Sequence, residues 1–182
     1  PSGRREISKE IRLGNVGHLC VPRPFQQHRP ASLRQSSIAA ARHFRPDGSC
    51  YHVIDYSLKD GSVRNRHTAQ GYAHESAWSR GQAWAIYGFV VCYRETGDRK
   101  YLDQALKTFN FMKNHKAMPA DLIPYWDMDA PNIPNEPRDA STASCIASAL
   151  YEISTMDVED AVAYKTYADS IMTSLGSPAY RA

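Results

Sequence analysis

The stretch Val91-Cys92-Tyr93-Arg94-Glu95-Thr96-Gly97-Asp98-Arg99-Lys100-Tyr101-Leu102 joins two helical patterns with almost nothing between them. Gly97 supplies the left-handed residue on which a helix ends, and Asp98 the side-chain acceptor on which the next begins. Upstream, a mostly apolar run reads as a helix of about five turns ending near Arg94. Downstream, Tyr101, Leu102, Ala105, Leu106, Phe109 and Met112 fall on one helix face, while Lys100, Asp103, Lys107 and Lys113 fall elsewhere. So short a link leaves the two helices no arrangement but an antiparallel hairpin.

The same unit occurs twice. Past Pro119 to Pro137, a loop with five prolines, helical pattern resumes over Ser141 to Ile153 and again over Asp160 to Leu175. A shift of about sixty residues lays Tyr101 on Tyr164 and Ala105 on Ala168. Two such hairpins cannot bury both faces of their inner helices, so they belong to an open solenoid or a closed ring. A mostly apolar first helix against an amphipathic second one fits a two-layer ring of inner and outer helices. Between helices, Tyr51 to Tyr56 alternates and is β-branched or aromatic, Lys59-Asp60-Gly61-Ser62 has turn chemistry, and Arg64 to His67 completes a small β-hairpin. Ser36 to Phe44 reads as helix, closed by Pro46-Asp47-Gly48.

Residues 1–36 read differently. Ile7, Ile11 and Leu13 mark a short helix at most, and Val21 to Pro30 holds three prolines with little apolar periodicity. The segment is expected to be an irregular, disordered or non-native N-terminal piece, with a partial toroidal domain over residues 37–182. Its basic residues, Arg4, Arg5, Lys9, Arg12, Arg23, Arg29 and Arg34, read as a solvated tail before an interaction arm.

Composition narrows the function classes. In 182 residues, 42% hydrophobic with 23% charged is a globular balance, and the longest apolar run, around Ala83 to Tyr93, is too short to span a bilayer. A net charge of +3 with Lys and Arg scattered among acids gives no footprint for nucleic acid. Cys20, Cys50, Cys92 and Cys145 lie far apart with no CxxC pair, which points away from zinc and redox motifs and toward free thiols in a reducing, cytoplasmic setting. No metal or organic cofactor is expected, and no membrane or nucleic-acid partner.

Most of the functional signal lies in Gln70-Gly71-Tyr72-Ala73-His74-Glu75-Ser76-Ala77-Trp78-Ser79-Arg80-Gly81-Gln82-Ala83-Trp84, a loop running into a helix. Ser79 and Gln82 have the spacing of a capping box. Arg80 and Trp84 then stand one turn apart on one helix face, a planar cation beside a large ring near a helix N-terminus. That chemistry suits a carboxylated, ring-shaped ligand. In the competing structural reading, Arg80 pairs with a nearby acid such as Glu75 and Trp84 is core. His52, at the end of the short strand, can exchange hydrogen bonds with a sugar hydroxyl or a reacting water. The Gln70 amide offers two donors and an acceptor in fixed geometry.

Around that stretch stand Arg45-Pro46-Asp47-Gly48-Ser49-Cys50-Tyr51-His52-Val53-Ile54-Asp55-Tyr56 upstream, and downstream Val91 to Asp98, Ile123-Pro124-Tyr125-Trp126-Asp127-Met128-Asp129-Ala130-Pro131 and Pro137-Arg138-Asp139. In this order and at these separations the set closely resembles the unsaturated glucuronyl hydrolases, glycoside hydrolase family 88, over roughly Phe44 to Leu175. The resemblance implies an all-α fold, an incomplete (α/α)6 toroid of helical hairpins with a small β-hairpin between helices, of which this chain holds under half. It implies hydrolysis of a terminal 4,5-unsaturated glucuronyl residue from oligosaccharides left by polysaccharide lyases, by hydration of the double bond. Hydration gives a hemiketal that falls apart, which differs from attack at the anomeric carbon by two carboxylates. His52, Gln70, Arg80 and Trp84 are assigned to the subsite for the unsaturated uronate, Arg80 as partner of its carboxylate and Trp84 as ring wall.

The resemblance also implies two aspartates, one a general acid/base and the other its support, both upstream of Tyr51 to Tyr56. No aspartate stands between Pro1 and Pro46. Asp127 and Asp129 lie in the proline-rich loop, and Asp139 precedes a helix, where capping is the default role. No catalytic residue is therefore assigned, and the chain is expected to be truncated and nearly inactive alone. His74 stands where acids are common in the family. Two other functions are compatible with these residues: a catalytically inactive helical-repeat module binding carbohydrate or protein, and an unsaturated rhamnogalacturonyl hydrolase of family 105. The Gln-Gly-Tyr and Arg-Gly-Gln-Ala-Trp details favour family 88 over the latter.

Overall fold

A computed structural model describes residues 12–13 and 38–181. Its elements are β1 (Arg12–Leu13), β2 (Val53–Tyr56), β3 (Val63–His67), α1 (Ser79–Thr96), α2 (Arg99–Asn114), α3 (Ala140–Ile153) and α4 (Ala161–Leu175), with a short helical turn at 38–42 before the sheet. The expectation of an irregular segment over residues 1–36 lies outside the described residues except at Arg12–Leu13. There the backbone is a strand, not helix: β1 pairs antiparallel with β2, so the expected hairpin is the larger part of a three-stranded sheet in the order β1-β2-β3.

The helices form as their patterns dictate. Gly97 ends α1 in the left-handed region at φ 69°, its N–H bonded to the Tyr93 carbonyl, and Asp98 caps α2 by accepting from the Lys100 N–H. Asp139 caps α3 through the Thr142 N–H. The start of α1 departs from expectation. Trp78 is the N-cap residue and makes no side-chain cap bond, so Ser79 and Gln82 form no capping box. The Ser79 N–H goes instead to the Trp126 carbonyl, and the Gln82 amide bonds both the N–H and the carbonyl of buried Cys50. Long-range partners satisfy the helix start because it is enclosed by other parts of the chain, where a local cap is not needed.

α1 packs on α2, α3 on α4, and α1 on α3. The first helix of each hairpin forms the inner layer and is apolar nearly all round: Ala83, Ile86, Phe89 and Val90 of α1 meet Ala143, Ile146, Ala147 and Leu150 of α3 in one core. The outer helices bury one stripe each, Tyr101, Leu102, Ala105, Phe109 and Met112 on α2 and Ala168 and Ile171 on α4. Phe109 meets Tyr164 and Tyr167 edge-on at 6.0 and 5.1 Å, joining the outer layer. This is an arc of an α/α toroid, two hairpins with the sheet at one end.

The loop between α2 and α3 folds back on the entrance to α1. Trp126 and Met128 exchange backbone bonds with Ala77 and Ser79, and Trp126 and Asp139 do so with Pro137 and Pro124. Arg138 binds Asp121 at 3.0 Å and lies over the Tyr125 ring. Two loops far apart in sequence are thereby laid side by side.

His43 sits in the core with 1% of its surface exposed and its Nδ1 unpartnered among the described residues. Burial, and then the positive charge of Arg66, push its pKa down to about 4. The unfolded chain takes up the proton near pH 6.5, so folding stability is full above that value and drains as pH falls toward 4, by up to about 3 kcal/mol. His43→Leu is expected to remove that part of the slope, checked by urea unfolding at pH 7.5 and 4.5.

Candidate functional site

The site grows from the loop before α1. Asp127, fully buried, accepts at Oδ2 from the Tyr72 N–H at 2.9 Å and the Ser76 hydroxyl at 2.7 Å, and at Oδ1 from the Asp129 N–H at 3.0 Å. Asp129 in turn accepts from the Ala77 N–H. A carboxylate removed from water is tolerated only with such donors around it. Arg45 ties the far side of the loop, reaching the His74 and Ser76 carbonyls and pairing with Glu75 at 3.4 Å.

Two glycines let the loop close. A Cβ at Gly71 would stand 2.6 Å from the Thr68 hydroxyl, 3.0 Å from the Asp127 carboxylate and 3.1 Å from the Trp78 side chain. A Cβ at Gly81 would stand 3.0 Å from the Trp78 indole. The indole therefore lies flat against the first turn of α1 because residue 81 has no side chain.

On that indole the candidate residues gather. His52, just before β2, stacks on Trp78 with ring centres 4.2 Å apart and planes 25° apart. The Arg80 guanidinium lies 5.8 Å from the centre of the same ring, within cation–π range. The Gln70 backbone N–H donates to His52 Nδ1 at 3.2 Å, and its amide side chain is exposed. Burial, and then His67, lower the His52 pKa.

Arg80 does not pair with Glu75. Its Nε and Nη2 both bind Asp139 Oδ2, at 3.1 and 2.9 Å, across the packed α1 and α3. The Arg80 side chain keeps 43% of its surface exposed while Asp139 keeps 4%, so the edge carrying Nη1 faces outward. Trp84, one turn on, is half-buried with its ring edge-on to Tyr87 at 6.3 Å.

Thus His52 and Arg80 come together on Trp78, a residue passed over in the sequence in favour of Trp84, and Gln70 joins them through its backbone N–H to His52. The missed signal was the Trp78–Gly81 spacing, an aromatic three residues before a glycine on one helix turn. Thr68, Asp127 and Asp139 are equally part of the arrangement. Among the described residues no three His, Cys, Asp or Glu side chains stand close enough to share a metal ion, and no helix is long and apolar enough to cross a membrane.

Chemically, a guanidinium and an imidazole lie on an aromatic platform of an α/α toroid, with an exposed amide on the adjoining loop, a class of scaffold and site suited to a carbohydrate acid. No family model matches the chain. A curated unsaturated glucuronyl hydrolase from Formosa agariphila is 41% identical over 149 residues, covering 82% of this chain and 37% of its own length. Among solved structures, an unsaturated glucuronyl hydrolase specific for heparin superposes with a TM-score of 0.81 at 45% identity, covering 84% of this chain and 41% of its own. A Streptococcus agalactiae unsaturated glucuronyl hydrolase variant complexed with dGlcA-GalNAc6S gives 0.69 at 28% identity, covering 81% and 40%. The chain belongs to the unsaturated glucuronyl hydrolases, glycoside hydrolase family 88. It spans a little over a third of the length of that curated relative.

Removing Arg80 would leave Asp139 buried without its cation. Arg80→Ala is expected to lower stability by about 1–3 kcal/mol, the half-exposed guanidinium keeping the loss below that of a fully buried pair. A double-mutant cycle with Asp139→Asn, read by denaturant unfolding, should show clear coupling between the two changes.

Proposed function

We propose that this chain supplies the uronate-binding wall of a hydrolase that removes a terminal 4,5-unsaturated glucuronyl residue from lyase-generated oligosaccharides. The observation that carries the reading is the meeting of His52 and Arg80 on Trp78, with the Gln70 backbone bonded to His52, in a chain 41% identical to such a hydrolase. Asp139 occupies the Nε–Nη2 side of Arg80. The Nη1 edge is left to receive the sugar carboxylate as a planar, charge-assisted pair. Gln70, exposed at the loop tip, reaches the ring hydroxyls with both donor and acceptor. Trp78 backs the site, and Trp84, half-buried one turn further along α1, is assigned as a second wall for the sugar.

Hydration of the double bond requires a proton donor at carbon and an activated water. Asp127 and Asp139 are held by structural bonds and Asp129 takes the Ala77 N–H, so the described residues are assigned to binding and orientation. One relative is specific for heparin and another is complexed with dGlcA-GalNAc6S, which supports a glycosaminoglycan-derived uronate as the ligand class.

Calorimetry of the chain with an unsaturated chondroitin disaccharide tests the assignment. Binding without turnover is expected. Gln70→Ala should weaken it roughly tenfold with no change in stability, since it removes hydrogen bonds from an exposed side chain. Turnover by the chain alone would place the catalytic acid among its residues, and no binding at all would sink the uronate site.

A further inference from the structure

The geometry around His52 assigns its proton. Its Nδ1 faces the N–H of Ala69 at 3.2 Å and the N–H of Gln70 at 3.2 Å, with the Thr68 hydroxyl at 2.9 Å. Backbone amides are donors and nothing else, so Nδ1 must present its lone pair to them. The Thr68 oxygen accepts from the Gly71 N–H at 2.7 Å, and with Nδ1 already an acceptor its own proton completes the third bond to the ring. We propose that His52 is locked as the Nε2–H tautomer and acts in the uronate site as a fixed hydrogen-bond donor to a sugar oxygen, not as a base. This rests on the binding role proposed above for the same site.

The lock is structural. Protonating Nδ1 would set a fourth N–H or O–H proton against the three already converging there. Stacking on Trp78 fixes the ring plane, and the turn that carries the donors is held by Asp127 through Tyr72 and Ser76. The other ionisable groups nearby do not undo this. His67 on β3 is paired with Asp55 at 3.2 Å, His74 accepts from the Thr68 N–H, and Arg80 lies against Trp78. Both His67 and burial disfavour an imidazolium at position 52. A neutral ring with Nε2–H can give a hydrogen bond to a ring or hydroxyl oxygen. It cannot take a proton from water through Nε2, because that nitrogen already carries one.

Long-range nitrogen–proton correlation spectra of the full chain, labelled at histidine and assigned with His52→Gln, read the tautomer directly. The expected pattern is neutral Nε2–H at about pH 8, with a titration midpoint below the ordinary histidine value of about 6.5. An Nδ1–H pattern, or a midpoint at the ordinary value, would overturn the proposal whether or not any ligand binds. Unsaturated chondroitin disaccharide should then shift the Nε2–H resonance. His52→Ala should weaken binding roughly tenfold, and His52→Gln, whose amide N–H replaces the ring donor, by less than about threefold. An unmoved resonance alongside Arg80-dependent binding would refute the donor role and leave the uronate site standing. Absence of binding by the unaltered chain would remove the site, and the sugar contact of His52 with it.

Discussion

The buried carboxylate of Asp127 is the contact on which the site depends. It gathers donors from Tyr72, Ser76 and Asp129, and so welds the loop before α1 to the proline-rich loop between α2 and α3. Neither loop has regular secondary structure to hold it. A charge inside the protein enforces geometry because leaving any of its donors unmade exposes the whole desolvation penalty. With that node in place, Gly71 can pass close to Trp78, the indole lies on Gly81, and His52 stacks on the indole.

The second constraint is the Arg80–Asp139 pair. Arg80 opens α1 and Asp139 caps α3, so the two inner helices are registered at their N-terminal ends by a charged contact where their apolar faces alone would permit sliding. The pair also fixes the plane of the guanidinium, which would lower the entropy lost in the proposed binding of an acidic sugar. A site made this way uses backbone amides and structural carboxylates to aim a few side chains. Such a site suits recognition and orientation, with the chemistry left to groups brought to its open face.

The helical framework was legible in the sequence because it follows from local rules. Gly97 and Asp98 mark their helix boundary, and the apolar stripe of α2 predicts most of its buried face, with Leu106 left half-covered and buried Thr108 not foreseen. The β-hairpin was equally plain from its alternation and its Asp60-Gly61 turn. The third strand was not, because two residues are too few to carry a periodicity. The capping box at Ser79 and Gln82 looked right by spacing. It was wrong because Gln82 found stronger partners in the Cys50 backbone, within the core.

Chain order by itself determined the helical hairpins, their repeat and the family likeness that singles out His52, Gln70, Arg80 and Trp84. Those features are written in residues a few positions apart, where propensity, capping and periodicity act. Tertiary structure alone decided that Trp78 is the platform, that Asp139 and not Glu75 holds Arg80, and that backbone amides dictate the proton on His52. Each of those contacts closes over a long stretch of chain. Its outcome was set by which donors and carboxylates ended up buried together, a competition that no local pattern records.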